Sequence, residues 1–352
     1  MRTFALLVAL TTLAWAQRVP ELPKPIDLKQ TPARSRAKLR LPKGHSVGPA
    51  IPGLKQGAIP QGLAFWQQQN WFLISCYFDH KEGESPRKPS VVVAIDAQTR
   101  KVVRSLTLLE ASGKGHTGHV GGVAVSDTYL WVGSGKLYRV PLADILAAKK
   151  VDYLRLQKPF QAETNASYVA YHNKRVWVGE FVSIKDPKFK GKPAHYVKDR
   201  SGEQKHAWIC GYALDADENL ATVAGNKPVP PVVLSVRDHV QGLAFQQGNI
   251  ILSTSYGRTK DSHLVVHKNP FPGEAKKPHK TVKIGDVTFP VWFLDGKNKV
   301  GKQIPYPPMS EGITAYGKRL AVICESGAEK FKKKGHVPLD NIIFLKSPGK
   351  KK

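Results

Sequence analysis

Cysteine and methionine are scarce in this chain of 352 residues, with three of the first and two of the second. Three cysteines cannot build a disulfide scaffold at this length, so the fold has to stand on apolar packing. Acidic residues are also few, 27 against 54 Lys and Arg, which leaves a formal net charge of +27. Beyond the first residues no apolar run approaches the ~20 residues of a membrane-spanning helix. No Gly-x-Ser-x-Gly elbow is present, which removes the simplest serine-hydrolase reading. The run Gly113-Lys114-Gly115-His116-Thr117-Gly118-His119 lacks the Gly-Lys-Ser/Thr order of a phosphate loop, so nucleotide binding is not expected. His116 and His119 stand three apart, a spacing that suits one helix face, but the glycines around them argue for a loop and against a zinc pair. The hydrophobic content, 41%, is that of a globular protein and excludes a disordered chain.

The ends differ from the middle. Arg2 precedes an apolar run from Phe4 to about Trp15 that ends in Ala14-Trp15-Ala16, a small-x-small pattern read by signal peptidase. Residues 1–16 are therefore expected to be a signal peptide cleaved after Ala16, with the product secreted or periplasmic and carrying no transmembrane segment. Residues 17–55 hold seven prolines and nine basic residues against Glu21 and Asp27, with no period of 2 or 3.6. They read as an extended basic arm, ordered near Ile51-Pro52-Gly53-Leu54 where it enters the core. Residues 346–352 form a short basic tail.

The middle, 56–345, is governed by a repeat. Five segments align: Pro60-Gln61-Gly62-Leu63-Ala64-Phe65, Val120-Gly121-Gly122-Val123-Ala124-Val125, Ala166-Ser167-Tyr168-Val169-Ala170-Tyr171, Val240-Gln241-Gly242-Leu243-Ala244-Phe245 and Ser310-Glu311-Gly312-Ile313-Thr314-Ala315. Each begins a short apolar strand, and each is followed after a few turn residues by a second strand, from Trp71, Tyr129, Arg175, Asn249 and Arg319. Third and fourth strands follow in most units, as at Ser90 to Ile95 and Val102 to Leu108, joined by the turn Asp96-Ala97-Gln98-Thr99. Repeated four-stranded meanders with a small residue at one matched position are the signature of a β-propeller, in which crowding at the axis explains Gly62, Gly122, Gly242 and Gly312. Tyr168 breaks the rule in the third unit. The matched positions stand further apart than the ~40 to 45 residues of a compact blade, and long loops at 183–206 and 268–288 account for the excess. The expectation is all-β, one propeller of four-stranded blades, five in number, with six open if Val287 to Leu294 belongs to a further blade. The last unit lacks a strand, which closure would borrow from the segment before Gly62.

In such a ring the first strands begin, and the second strands end, on one face. That brings together Gln61, His119, Asn165, Gln241 and Glu311 with Cys76, Ser134, Glu180, Ser255, Tyr256, Cys324 and Glu325. These carboxylates, amides and a histidine would supply oxygen ligands for calcium, with His119 as general base; equally, they would close the wet end of the channel and satisfy backbone groups there. Cys76 and Cys324 occupy matched positions in units that become neighbours on closure, and a disulfide between them or three buried thiols, with Cys210, are both open.

The strings His116-Thr117-Gly118-His119-Val120-Gly121-Gly122, Val176-Trp177-Val178-Gly179-Glu180-Phe181, Pro308-Met309-Ser310-Glu311-Gly312 and Glu325-Ser326-Gly327-Ala328-Glu329-Lys330 resemble a group of secreted bacterial propellers of unassigned function, over about residues 50 to 345. More distantly the repeat resembles the superfamily of SMP-30, gluconolactonase and strictosidine synthase. That resemblance implies a calcium-dependent lactonase or esterase site, with Glu311 and Asn165 where Glu and Asn ligands belong, and Glu180 and Glu325 beside them. Gln61 and Gln241 depart from its pattern.

The excess charge lies outside the strands, in the arm and in loops holding Lys188, Lys190 and Lys192, and Lys332, Lys333 and Lys334. Such loops would grip an anionic partner, DNA, polyphosphate or an envelope polymer, through its phosphates or carboxylates. Two functional readings result: a secreted basic propeller binding an anionic polymer or surface through these lysines with Gln61 and Gln241, or a metal-assisted hydrolase of a lactone, ester or phosphoester at the channel mouth. A scaffold using the outer blade faces is a third.

Overall fold

The structure is a computed structural model that describes residues 22–31, 44–80, 87–221, 228–271, 277–331 and 337–347. The signal peptide expected at 1–16, the arm at 17–21 and 32–43, Lys332, Lys333, Lys334 and the tail from 348 lie outside the described residues.

The chain forms a five-bladed β-propeller. Alternating apolar residues bury both faces of most strands, because each blade packs against a neighbour on either side. Blade 1 holds Ala58–Trp66, Trp71–Phe78, Val91–Asp96 and Val102–Leu109. Blade 2 has three strands, Gly122–Val125, Tyr129–Ser134 and Lys136–Pro141. Blade 3 runs through Tyr168–His172, Arg175–Gly179, Ala207–Ala213 and Val232–Val236. Blade 4 comprises Val240–Gln246, Asn249–Thr254, Ser262–Lys268 and Ile304–Tyr306. Blade 5 comprises Ser310–Tyr316, Arg319–Cys324 and Asn341–Lys346. Its fourth strand is Ser46–Ala50, which pairs antiparallel with Asn341–Lys346 and joins the two ends of the core.

Val287 to Leu294 makes no sixth blade. Lys280–Ile284 and Val287–Phe293 form a hairpin, and its second strand pairs parallel with Val232–Val236 on the outer edge of blade 3. Blade 2 lends a strand in the same sense: after the helix Leu142–Ala147 the chain returns as Val151–Arg155, parallel to Val102–Leu109 of blade 1. Each loan covers an outer edge that would otherwise expose unpaired backbone groups. Part of the basic stretch is also docked. The Ile26 and Leu28 amides donate to the Thr107 and Ser105 hydroxyls at 2.8 and 3.0 Å, and Leu28 is buried among Leu54, Ile59 and Ile323. All three cysteines are free and buried, so no disulfide staples the closure. No described helix is long and apolar enough to cross a membrane.

The axis is held by backbone rather than side chains. A methyl group at Gly62 would stand 2.6 Å from the Val123 nitrogen, at Gly122 2.4 Å from the Val169 nitrogen, at Gly242 2.8 Å from the Glu311 oxygen, and at Gly312 2.5 Å from the Leu63 nitrogen. Each first strand therefore touches the backbone of the next blade. Blade 3 breaks the series because Tyr168 takes the glycine position and its ring lies over Gly179 of its own second strand, where a methyl would meet it at 2.0 Å. Gly122→Ala is expected to lower the unfolding free energy by about 1–3 kcal/mol in denaturant titrations, since backbone must yield. Gly296→Ala, with nothing within 4 Å, is expected to change it by less than about 0.5 kcal/mol.

Candidate functional site

The blade geometry delivers one end of every first strand to a common mouth. A funnel of about 790 Å³ is lined by Gln61, His119, Asn165, Gln241 and Glu311 from the strand starts, and by Tyr77, Ser134, Ser255, Tyr256 and Glu325 from the ends of second strands or just beyond. Below it the ring of glycines and Tyr168 pinches the channel to about 10 Å³.

Two carboxyl groups meet on its floor. Glu311 is 2% exposed and accepts from the Gln241 amide at 3.2 Å; Glu325 accepts from the Gln61 amide at 3.0 Å. Burial, and then the charge of Glu325, hold the Glu311 carboxyl well above the usual carboxylate range. Burial likewise lifts Glu325 to about 7, against the opposing pull of the Gln61 hydrogen bond and of Lys330 and Arg258. Two adjacent carboxylates in low dielectric cannot both ionise cheaply, so the pair retains a proton near neutrality. The backbone presenting it is strained. Met309, two residues before Glu311, has φ 67°, and its carbonyl accepts from the Glu325 amide at 3.1 Å. His239, two residues before Gln241, is left-handed too, at φ 65°. Non-glycine residues in this region cost of order 1–3 kcal/mol each and persist where surrounding structure imposes them.

The walls add donors, cations and rings. The Tyr77 ring lies 4.3 Å from that of His119, and burial with the two glutamates raises the Tyr77 hydroxyl pKa. His119 is exposed at the mouth, while desolvation by the surrounding funnel, with Lys330 nearby, pushes its pKa down to about 4. The lowered pKa leaves His119 neutral and a weak base near neutral pH. Arg258 and Lys330 stand over opposite parts of the Phe331 environment, 5.1 and 5.3 Å from its ring centroid. Phe181, Phe189 and Tyr256 form an aromatic wall, with Tyr256 stacked on His239 at 4.5 Å.

Gln61, Gln241, His119, Asn165, Glu311 and Glu325 thus share the funnel. Glu180 does not. It accepts from the Trp208 amide at 3.0 Å and meets His195 Nδ1 at 2.6 Å, while His195 Nε2 faces Glu163 at 3.2 Å and its ring stacks on Trp208. Burial would lower the His195 pKa, but the two glutamates together raise it. His195, then Lys192, holds Glu163 down to about 2. Lys192 is therefore tied to Glu163 at 2.8 Å rather than free. Lys188 and Lys190 are exposed on either side of Phe189 at the rim. The calcium quartet of Glu311, Asn165, Glu180 and Glu325 does not assemble. Glu180 is engaged elsewhere, and the two glutamines present amide N–H groups to the two remaining carboxyls. The remaining ligands, Glu311, Glu325 and Asn165, fall short of the six to eight oxygens calcium takes. Among the described residues no three His, Cys, Asp or Glu side chains converge as metal ligands.

Tyr77, Met309 and Arg258 were missed by sequence reasoning. Tyr77 follows Cys76 as Glu325 follows Cys324 and Tyr256 follows Ser255, so matching one residue further along the second strands would have found it. A second cleft of about 450 Å³ between blades 3 and 4 has charged walls already neutralised internally, by His206 with Asp238 at 2.8 Å and Lys205 with Glu203 at 2.8 Å.

The carboxyl pair gives a signed pH dependence. The unfolded chain releases the Glu325 proton near 4.5 and the folded chain near 7. The folded state binds the extra proton between these values, so this group's contribution makes stability fall as pH rises through that window. Glu325→Gln is expected to gain stability relative to the parent protein between pH 4.5 and 7, measured by denaturant unfolding at a series of pH values.

No family model matches the chain, and no curated protein matches it. Solved structures to which it is similar include the glutaminyl cyclase of Myxococcus xanthus, at 10% identity over 86% of this chain and 97% of that one, TM-score 0.40. A GH43_1 enzyme from Xanthomonas citri is similar at 10% identity over 85% and 90%, TM-score 0.44, and RS223-β-xylosidase at 11% identity over 82% and 92%, TM-score 0.39. These neighbours are β-propeller folds.

Proposed function

We propose that this propeller binds a small polar molecule in its funnel and performs acid–base chemistry on it, as a hydrolase of a lactone, ester or phosphoester. The observation that carries this reading is the Glu311 and Glu325 pair, the first buried and the second half-buried, lining an open cavity. A core has no use for two adjacent carboxyls, whose burial is costly unless function repays it. With one proton between them, the ionised member takes a proton from water, whose oxygen adds to the carbonyl or phosphoryl centre. The protonated member gives its proton to the leaving oxygen, and the products together carry the elements of water. Glu325, with its pKa about 7, is the member matched to proton transfer near neutrality. Gln61 and Gln241 hold the carboxyls in place, and His119, neutral, packs against Tyr77.

The reading is tested with a panel of lactones, carboxylic esters and phosphoesters in the presence of chelator. Glu325→Gln and Glu311→Gln are each expected to lower kcat about 10²- to 10⁴-fold, whereas His119→Gln should cost less than about tenfold. Unchanged turnover in both glutamate variants would remove the pair from the mechanism.

A second reading has its own support. Lys188 and Lys190 project from the rim beside Phe189, and their ammonium groups pair with no carboxylate among the described residues. An anionic polymer laid across the mouth would meet them first, which suits the +27 charge and the export suggested by the leading residues. Affinity for DNA or polyphosphate is then expected to fall by orders of magnitude from about 50 to 200 mM salt. Replacing both lysines by Gln should reduce the logarithmic salt slope by about 2. Weak, salt-insensitive binding would discard this reading.

A further inference from the structure

Among the described residues that line the funnel, Arg258 is a cation without an ion pair. Lys330 also lines the cavity but is paired with Asp79 at 2.9 Å. The Arg258 guanidinium makes no ion pair with a described residue; it rests over the face of Phe331 at 5.1 Å and lies near enough to Glu325 to draw its pKa down. Gly257, at φ 87° with nothing within 4 Å, turns the chain between Tyr256 and Arg258, and both residues line the same funnel. A guanidinium resting on a ring, with its fork of donors unused, is preorganised for a planar or tetrahedral oxyanion.

The wall beside it is apolar where a protein surface should not be. Four large hydrophobic side chains are exposed among the described residues, and two of them, Phe189 at 45% and Tyr256 at 39%, stand in this funnel. Phe181 packs edge-on to Phe189 at 5.3 Å and lies near-parallel to Tyr256 at 6.4 Å, while His239 stacks behind Tyr256. The rings are fixed from behind and open in front, which is the arrangement of a stacking surface rather than of a core.

We infer that the funnel takes a ligand carrying a carboxylate or phosphate on a flat apolar body, with Arg258 pairing with the oxyanion and the body lying against Tyr256 and Phe189. This rests on the reading of the funnel as a ligand site, and not on hydrolysis. Arg258 positions the charged end toward the two carboxyls, each of which accepts a hydrogen bond from Gln61 or Gln241.

The test uses the full chain and probes that cannot be cleaved: phenylphosphonate, benzoate, inorganic phosphate and neutral benzamide, followed by isothermal titration calorimetry. Phenylphosphonate is expected to bind at least about tenfold more tightly than phosphate or benzamide, since each lacks one of the two interactions. Arg258→Gln should weaken phenylphosphonate and benzoate about tenfold or more, with Arg258→Lys recovering part of the loss. Tyr256→Ala should erase the advantage over phosphate. Both side chains are partly or largely exposed, and an unchanged thermal unfolding transition confirms that the variants remain folded. Failure of the parent protein to bind phenylphosphonate and benzoate, or equal affinity in Arg258→Gln, overturns the inference. Arg258-dependent binding without turnover of any ester would instead overturn the hydrolase reading and leave this one standing. Turnover with Arg258-independent binding would do the reverse.

Discussion

The close approach of backbones around the axis is the constraint on which the molecule depends. Four glycines let each first strand lie against the main chain of the next blade, at distances no side chain would permit. Once the strands are locked in that register, the residue preceding each glycine in blades 1, 4 and 5 is fixed in the wall of one funnel, so Gln61, Gln241 and Glu311 line the same cavity. The same crowding closes the channel below them. A closed floor and a ring of polar groups are thus two results of one packing rule, and the chemistry is mounted on strands rather than on loops.

What the rule delivers is electrostatically unfavourable by itself. Glu311 and Glu325 stand together with two amides and, among the described residues, no ion-paired cation, and burial raises both carboxyls. The amides do not neutralise them; they orient them. Backbone strain at Met309 is accepted at the same place. Contrast Glu180, as buried as Glu311, which is satisfied by His195 and by the Trp208 amide and serves the structure of blade 3. One buried glutamate is compensated and the pair in the funnel is not, and that difference separates a structural acid from a reactive one.

Much of this was legible in the sequence because the repeat is written in the crowded positions. The five-blade count, the second strands, the closing strand and nine of the residues at the mouth follow from aligning the repeat. The strands lent between blades were not legible. Val151–Arg155 and Val287–Phe293 pair parallel with strands of an earlier blade, and hydrophobic alternation marks a strand without naming its partner. Glu180 was misplaced because the 183–206 loop folds back and sets His195 against it, a long-range contact with no local signal. Arg258 was missed because it follows a glycine turn outside the matched positions, where the repeat no longer fixes direction.

The central claim is that the Glu311 and Glu325 pair holds a proton at neutral pH within an accessible cavity. Infrared difference spectroscopy of the parent protein against Glu311→Gln at neutral pH measures this directly, since a protonated carboxyl has a carbonyl stretch distinct from that of a carboxylate. The account predicts a protonated-carboxyl band in the parent that is lost in the variant and lost again when the parent is taken to high pH. A spectrum with carboxylate bands alone, unchanged in the protonated region by the substitution, would contradict it.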